Sequence, residues 1–158
     1  MSFVDREADL PQAVMAALSF SGAALIEAKV EGREVAAALA GPTLEPLPIV
    51  EIVPKEGVYD YAARYTAGTT EYFCPARLSE GASAAVAAFA ATAAEALHLR
   101  DLTRVDLIVD TNDRPWVLEV NVSPGMTETS LVPMAAQAQG LSLGDLCDSV
   151  LRSTVARI

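Results

Sequence analysis

The chain has 158 residues, with 11 Lys and Arg against 21 Asp and Glu, a net charge of −10. That length suits one domain or two small subdomains, and folding would bury about two-thirds of the unfolded surface. The acidic balance argues against nucleic-acid and anionic-membrane binding, which need basic patches, and no apolar stretch is long enough to span a bilayer.

The first residues, Met1-Ser2-Phe3-Val4, lack a basic region followed by an apolar run, so no signal peptide is expected. Cys74 and Cys147 form no metal or disulfide spacing and fit a reducing, cytoplasmic setting. Asp9 is placed to cap a helix with Pro11 in its first turn, and Leu10, Val14, Ala17 and Leu18 form its core-facing stripe. Ser21-Gly22 ends it. Ala24 through Val30 reads as a strand or an extended hinge. After the Glu31-Gly32-Arg33 turn, Glu34 to Ala40 is a second strand, held by its flanking turns because Ala is a weak strand former. Leu44 to Val53 follows as an edge strand, since Pro46 and Pro48 cannot donate to a ladder.

Residues 54 to 75 read as a long polar and aromatic loop, with Tyr59, Tyr61 and Tyr65 inside seven residues. Such a loop is either pinned to the surface by its aromatics or an active-site lid whose Tyr and Arg donate to a phosphate or carboxylate. Ser79 then caps an alanine-rich helix to about Leu97, with Val86, Phe89, Ala93, Ala96 and Leu97 on one face. His98, the only histidine, is a surface or helix-end residue.

Arg104 to Asp110 and Pro115 to Gly125 flank the polar turn Thr111 to Arg114, a hairpin signal. Side chains alternate along a strand. If the hairpin pairs in the obvious register, Asp106, Glu119 and Asn121 converge on one face beside Arg104, and Val105, Leu107, Val109, Leu118 and Val120 suit a core. Two carboxylates about 4 Å apart repel by about 4 kcal/mol at an effective dielectric of about 20. Arg104 relieves part of that in a solvated salt bridge; a hard divalent cation would relieve more, with three oxygen-bearing ligands to hand. Both readings fit the alternation. Ser123-Pro124-Gly125 then turns toward a helix starting at Ser130. Turn and helix-start N–H groups make an anion site. A short helix ends before Gly140, and a last one begins at Ser142 with Leu143, Leu146, Cys147, Val150 and Leu151 as its stripe.

Arg-Val-Asp at 104–106, Leu-Glu-Val-Asn at 118–121, Ser-Pro-Gly-Met-Thr at 123–127 and Ser-Leu-Val-Pro-Met-Ala at 130–135 resemble the C-terminal half of the D-alanine–D-alanine ligase family of ATP-grasp enzymes. The resemblance extends over nearly the whole chain. It implies an α+β fold, mostly antiparallel, with residues 1–30 as the end of the central ATP-grasp subdomain and adenine hinge, and 31–158 as the C-terminal ATP-grasp domain. By resemblance Glu27 accepts from the adenine amino group, the backbone near Val30 contacts the ring, and Glu34 holds ribose hydroxyls. The omega loop of about 54–75 closes over ATP and the second amino acid. It brings Tyr59, Tyr61 and Arg64, the last where the family usually has lysine, and Tyr65 favours an amine as second substrate. Asp106, Glu119 and Asn121 would hold two magnesium (or manganese) ions. Arg104 and the Gly125 amide would stabilise the oxyanion, and Ser130 and Leu131 would grip the second substrate's carboxylate.

The implied reaction joins two D-alanines through an acyl phosphate made with ATP. The family's N-terminal domain and its phosphate-covering loop and lysines have no counterpart here, where the only lysines are Lys29 and Lys55. The expectation is a C-terminal part that needs the missing N-terminal half for turnover, with any homodimer belonging to the full-length enzyme. Two alternatives are another ATP-grasp carboxylate–amine ligase and a non-catalytic fragment acting as a binding or assembly module.

Overall fold

The computed structural model describes residues 2–55 and 69–157. It comprises two compact units, Met1–Val30 and Glu31–Ile158. In the first, a 3-10 turn (Glu7–Asp9) leads into α1 (Leu10–Leu18), and no residue of either is buried. Two expectations are corrected here. Asp9 does not cap the helix, because its carboxylate accepts from Arg6 Nε and Nη2 at 2.8 and 2.9 Å. The Leu10/Val14/Ala17/Leu18 stripe is not core; Leu18 is 39% exposed. A unit this small has no second layer to cover one helix face. Ala24 to Val30 carries no strand.

The second unit is a six-stranded antiparallel sheet with helices on both faces. Its strands are β1 (Gly32–Gly41), β2 (Glu45–Pro46), β3 (Val50–Pro54), β4 (Thr70–Phe73), β5 (Asp101–Asp110) and β6 (Pro115–Asn121). The order is β4-β3-β1-β5-β6, with β2 also on β1. The expected α+β class, mostly antiparallel, is what the chain adopts. Central β1 is buried on both faces, so it reads as a run without alternation, and its Ala36, Ala37 and Ala38 let covering helices approach closely. Leu44 to Val53 is not one edge strand. It splits into β2 and β3 around Pro48, and β3 lies inside the sheet between β1 and β4. The expected loop is likewise interrupted by β4.

One face carries α2 (Glu80–Ala96), which the Ser79 hydroxyl caps by accepting from the Ala82 N–H at 3.0 Å. Its buried side chains are Ala82, Val86, Ala90 and Ala94, against Val35, Ala37, Leu39, Val105, Leu107 and Val109 of the sheet. Of the expected apolar face only Val86 is buried; Phe89 and Leu97 are 44% and 55% exposed. A helix lying this close to the strands uses its small side chains at i, i+4 spacing, which leaves the bulky ones outside. The other face carries α3 (Leu131–Ala138) and α4 (Leu143–Val155), packed on Ala36, Ala38, Val50 and Ile52 through Leu131, Val132, Ala135, Ala136 and Leu146. A Ser142–Asp145 capping box starts α4. Leu151 of the expected stripe is 63% exposed. Asp101 fastens the end of α4 by accepting from Ser153, Thr154 and Arg157.

Candidate functional site

The β5–β6 hairpin builds the site. Asp110 shapes its turn by accepting from the N–H groups of Asn112 and Arg114 at 2.8 and 3.0 Å and from Trp116 Nε1 at 3.0 Å. From that end Val109, Ile108 and Leu107 pair with Pro115, Trp116 and Val117. Leu118 then has no partner, and the ladder resumes with Asp106 opposite Glu119 and Arg104 opposite Asn121. This is a β-bulge, one extra residue in β6. It leaves Leu118 49% exposed instead of in the expected core.

Arg104 and Asp106 point to the α3–α4 face, level with Ala38 and Ala36 of β1. Alanines there leave room for them. Arg104 Nε and Nη2 donate to Asp106 Oδ1 and Oδ2 at 2.7 and 2.8 Å, a bidentate pair with side chains only 11% and 8% exposed. Asn121 Nδ2 donates to Glu119 Oε1 at 3.1 Å and lies 3.4 Å from Asp106 Oδ2. Burial raises the Asp106 carboxyl above its ordinary value. Arg104 opposes that shift, and the neighbouring Glu119 adds to it.

The structure thus brings Arg104, Asp106, Glu119 and Asn121 together. Two carboxylates and a primary amide, which offers an oxygen as well as a nitrogen, are oxygen donors for a hard divalent cation. Among the described residues no group of three or more His, Cys, Asp and Glu is assembled. Such an ion would therefore take Asn121 and ligand or water oxygens to complete its shell. Glu34, half-buried, is on the same sheet face, opposite Ile108 and Ile52. Glu27 and Val30 belong to the other unit, exposed and half-buried respectively. Tyr59, Tyr61, Arg64 and Tyr65 lie outside the described residues. At the borders of that segment Lys55 N–H donates to the Thr69 carbonyl at 2.8 Å.

The turn after β6 closes on itself. The Ser130 hydroxyl accepts from the Thr127 N–H at 3.2 Å and shares a hydrogen with the Thr127 hydroxyl at 2.8 Å. A Cβ at Gly125 would sit 2.8 Å from Ser130 Oγ, so a side chain there would push the Ser130 hydroxyl out of its hydrogen bonds to Thr127. Ser130 stands at the N-cap of α3 but its hydroxyl caps nothing in the helix; it faces the turn. The Leu131 side chain is buried in the core, which leaves its backbone N–H as the group able to meet an anion.

Sequence reading missed one pair on the opposite face. Glu51, 3% exposed in β3, accepts from Arg77 Nε and Nη2 at 2.9 and 3.0 Å and from the Arg77 N–H at 3.0 Å. The Arg77 guanidinium stacks 3.5 Å from the Phe73 ring centre. The available signal was a carboxylate between Val50 and Ile52 in an apolar strand, which demands a partner. Among the described residues no helix is long and apolar enough to cross a membrane.

Comparison with known proteins places this geometry in a family. The D-alanine–D-alanine ligase of Methylacidiphilum infernorum is 41% identical over 157 residues, which are 99% of this chain and 51% of that protein. That of Bordetella avium is 42% identical over 153 residues, 96% of this chain and 48% of that protein. The chain spans about half the length of the curated relatives it matches. The crystal structure of the D-alanine–D-alanine ligase of Bacillus anthracis superposes with a TM-score of 0.82 at 26% identity, over 98% of this chain and 50% of that one. The D-Ala:D-Ser ligase of Enterococcus faecalis does so with 0.81 at 27%, over 94% and 43%. The family model described as the D-ala D-ala ligase C-terminus matches residues 1–152, and the chain belongs to that family.

Proposed function

We propose that this chain is the C-terminal, ATP- and magnesium-binding part of a D-alanine–D-alanine ligase, acting in the cytoplasm in the synthesis of peptidoglycan precursors. One observation carries the reading: Asp106, Glu119 and Asn121 meet on one sheet face, and β6 runs on directly into the Gly125–Ser130 turn. A cation site followed by backbone donors suits a phosphorylated ligand. A relative solved with bound ATP supports nucleotide use.

In this reading the γ-phosphoryl group of ATP passes to the carboxylate of one D-alanine. The amine of a second D-alanine then attacks the acyl phosphate and phosphate leaves. Magnesium, when bound, would neutralise charge on the phosphates. Asp106, Glu119 and Asn121 hold it. Arg104 and the Gly125 N–H face the developing oxyanion, and Ser130 with the Leu131 N–H receives the second carboxylate. The family resemblance assigns the adenosine to Glu27, Val30 and Glu34, and assigns to Tyr59, Tyr61, Arg64 and Tyr65 the omega-loop roles toward ATP and the second amino acid. The D-Ala:D-Ser relative supports an amine as the attacking group and leaves D-serine as a competing second substrate.

The test is D-alanine-dependent phosphate release from ATP and magnesium. The chain alone should give none. Supplying the N-terminal half of a relative should restore it, and Glu119→Ala should abolish it without unfolding. Turnover by the chain alone would overturn the dependence on a second half. Unchanged turnover in Glu119→Ala would overturn the cation assignment.

A further inference from the structure

Which edge of the Asp106 carboxylate a cation can reach is set by Arg104. The two guanidinium hydrogen bonds, 2.7 Å to Oδ1 and 2.8 Å to Oδ2, approach both oxygens from the same side. That is the edge a metal ion must occupy to chelate a carboxylate with both oxygens. Arg104 and Asp106 are both buried, at 9% and 6% exposure, in a face lined by Ala36 and Ala38. A swing of the guanidinium into water is therefore costly. Asn121 Nδ2 approaches Oδ2 at 3.4 Å, which crowds the second oxygen further.

We infer that Arg104 is a specificity-determining residue for the cation, because its fork confines Asp106 to binding a metal through one oxygen. The inference rests on the cation reading above. Calcium takes 6–8 oxygens and uses bidentate carboxylates freely, whereas magnesium demands a compact octahedron and binds carboxylates singly. Manganese shares the octahedral oxygen preference. A fork-blocked Asp106 thus favours magnesium and manganese over calcium. Lysine keeps the positive charge but cannot engage both oxygens.

The experiment is Mn2+ binding to the 158-residue chain, followed by electron paramagnetic resonance, with displacement by Mg2+ and by Ca2+. Wild type, Arg104→Lys, Arg104→Gln and Glu119→Gln are compared, each checked for folding by circular dichroism. Wild type should favour Mg2+ over Ca2+ in displacement. That ratio should fall by about fivefold or more in Arg104→Lys, a change that general loosening of the fold would not produce because both ions would weaken together. Arg104→Gln, which also removes the repelling charge, should bind all three ions more tightly and with the same lowered ratio. An unchanged ratio in both folded Arg104 variants, with Mn2+ binding still lost in Glu119→Gln, overturns this inference alone. Mn2+ binding that is indifferent to Glu119→Gln, or absent from wild type, overturns the cation reading and this inference with it.

Discussion

Asp106 stands directly opposite Glu119 although strict alternation from the hairpin turn would set Leu118 there; the unpaired Leu118 rephases β6 by one residue. Without that bulge Glu119 would face Val105 in the apolar core. Removing a residue of β6 therefore has opposite consequences on either side of Glu119. Deleting Leu118 joins Val117 to Glu119 in a regular ladder and keeps Glu119 opposite Asp106. We expect a stability change within about 1 kcal/mol and Mn2+ binding retained. Deleting Val120 moves Asn121 opposite Val105 and should cost about 2 kcal/mol or more, through a buried amide without partners, with Mn2+ binding lost. Urea unfolding and Mn2+ titration of both variants check this.

Glu51 gives stability a pH dependence. The Arg77 guanidinium, by its hydrogen bonds, holds the Glu51 carboxyl below the ordinary range against the opposing effect of burial. A carboxyl with a depressed folded pKa stabilises the fold above its unfolded value of about 4.3. That contribution disappears as pH falls through the lower folded value. Arg77→Met, which keeps an apolar stem over Phe73, should melt several degrees lower at pH 7. It should converge on wild type as pH drops below about 4. Parallel melting curves from pH 7 to 3 that never converge would remove Glu51 as the cause.

Ala90 is fully buried where α2 meets the sheet. Ala90→Leu adds volume where none is free and should cost about 1–3 kcal/mol by overpacking. The same change at exposed Ala91 should cost under about 0.5 kcal/mol. Denaturant midpoints of the two variants measure the difference.

Glycine is required at one position and would help at another. A Cβ at Gly32 would sit 2.2 Å from the Val109 carbonyl oxygen, a backbone atom that cannot yield cheaply. Gly32→Ala should lose about 2 kcal/mol or more. His98 has φ 53 just past the end of α2, the left-handed position that glycine takes without strain. His98→Gly should raise stability by up to about 1 kcal/mol. Calorimetric melting of both variants gives opposite signs if the two backbone readings hold.

Local chemistry was legible in the sequence. The Ser79 cap, the Ser142 start and the Asp110-to-Pro115 turn depend on residues within a few positions of each other, and the structure has all three. The two-residue alternation also set Arg104 with Asp106 on one face of β5 and Glu119 with Asn121 on one face of β6; the bulge brings those two faces to the same side of the sheet. The bulge was not legible, because a one-residue phase shift leaves no mark in a run as uniformly apolar as Trp116 to Leu118. The packed face of α2 was hidden by its alanines, which are equally compatible with inside and outside. Glu51 and Arg77 are 26 positions apart, and Gly125 meets Ser130 only once the turn has closed. In α1 the apolar periodicity was real, but burial needs a second layer that one helix cannot supply.

The sheet keeps its two clusters of buried side chains on opposite sides, with Val35, Val105 and Leu107 under α2 and Ala36, Val50 and Ile52 under α3 and α4. The carboxylates of Asp106 and Glu119 lie on the second side. An engineer can therefore harden the chain by repacking the α2 layer while leaving the proposed cation-binding layer untouched, because the strands' backbone is the only material the two have in common. The usual trade between robustness and activity is here divided along the plane of one sheet.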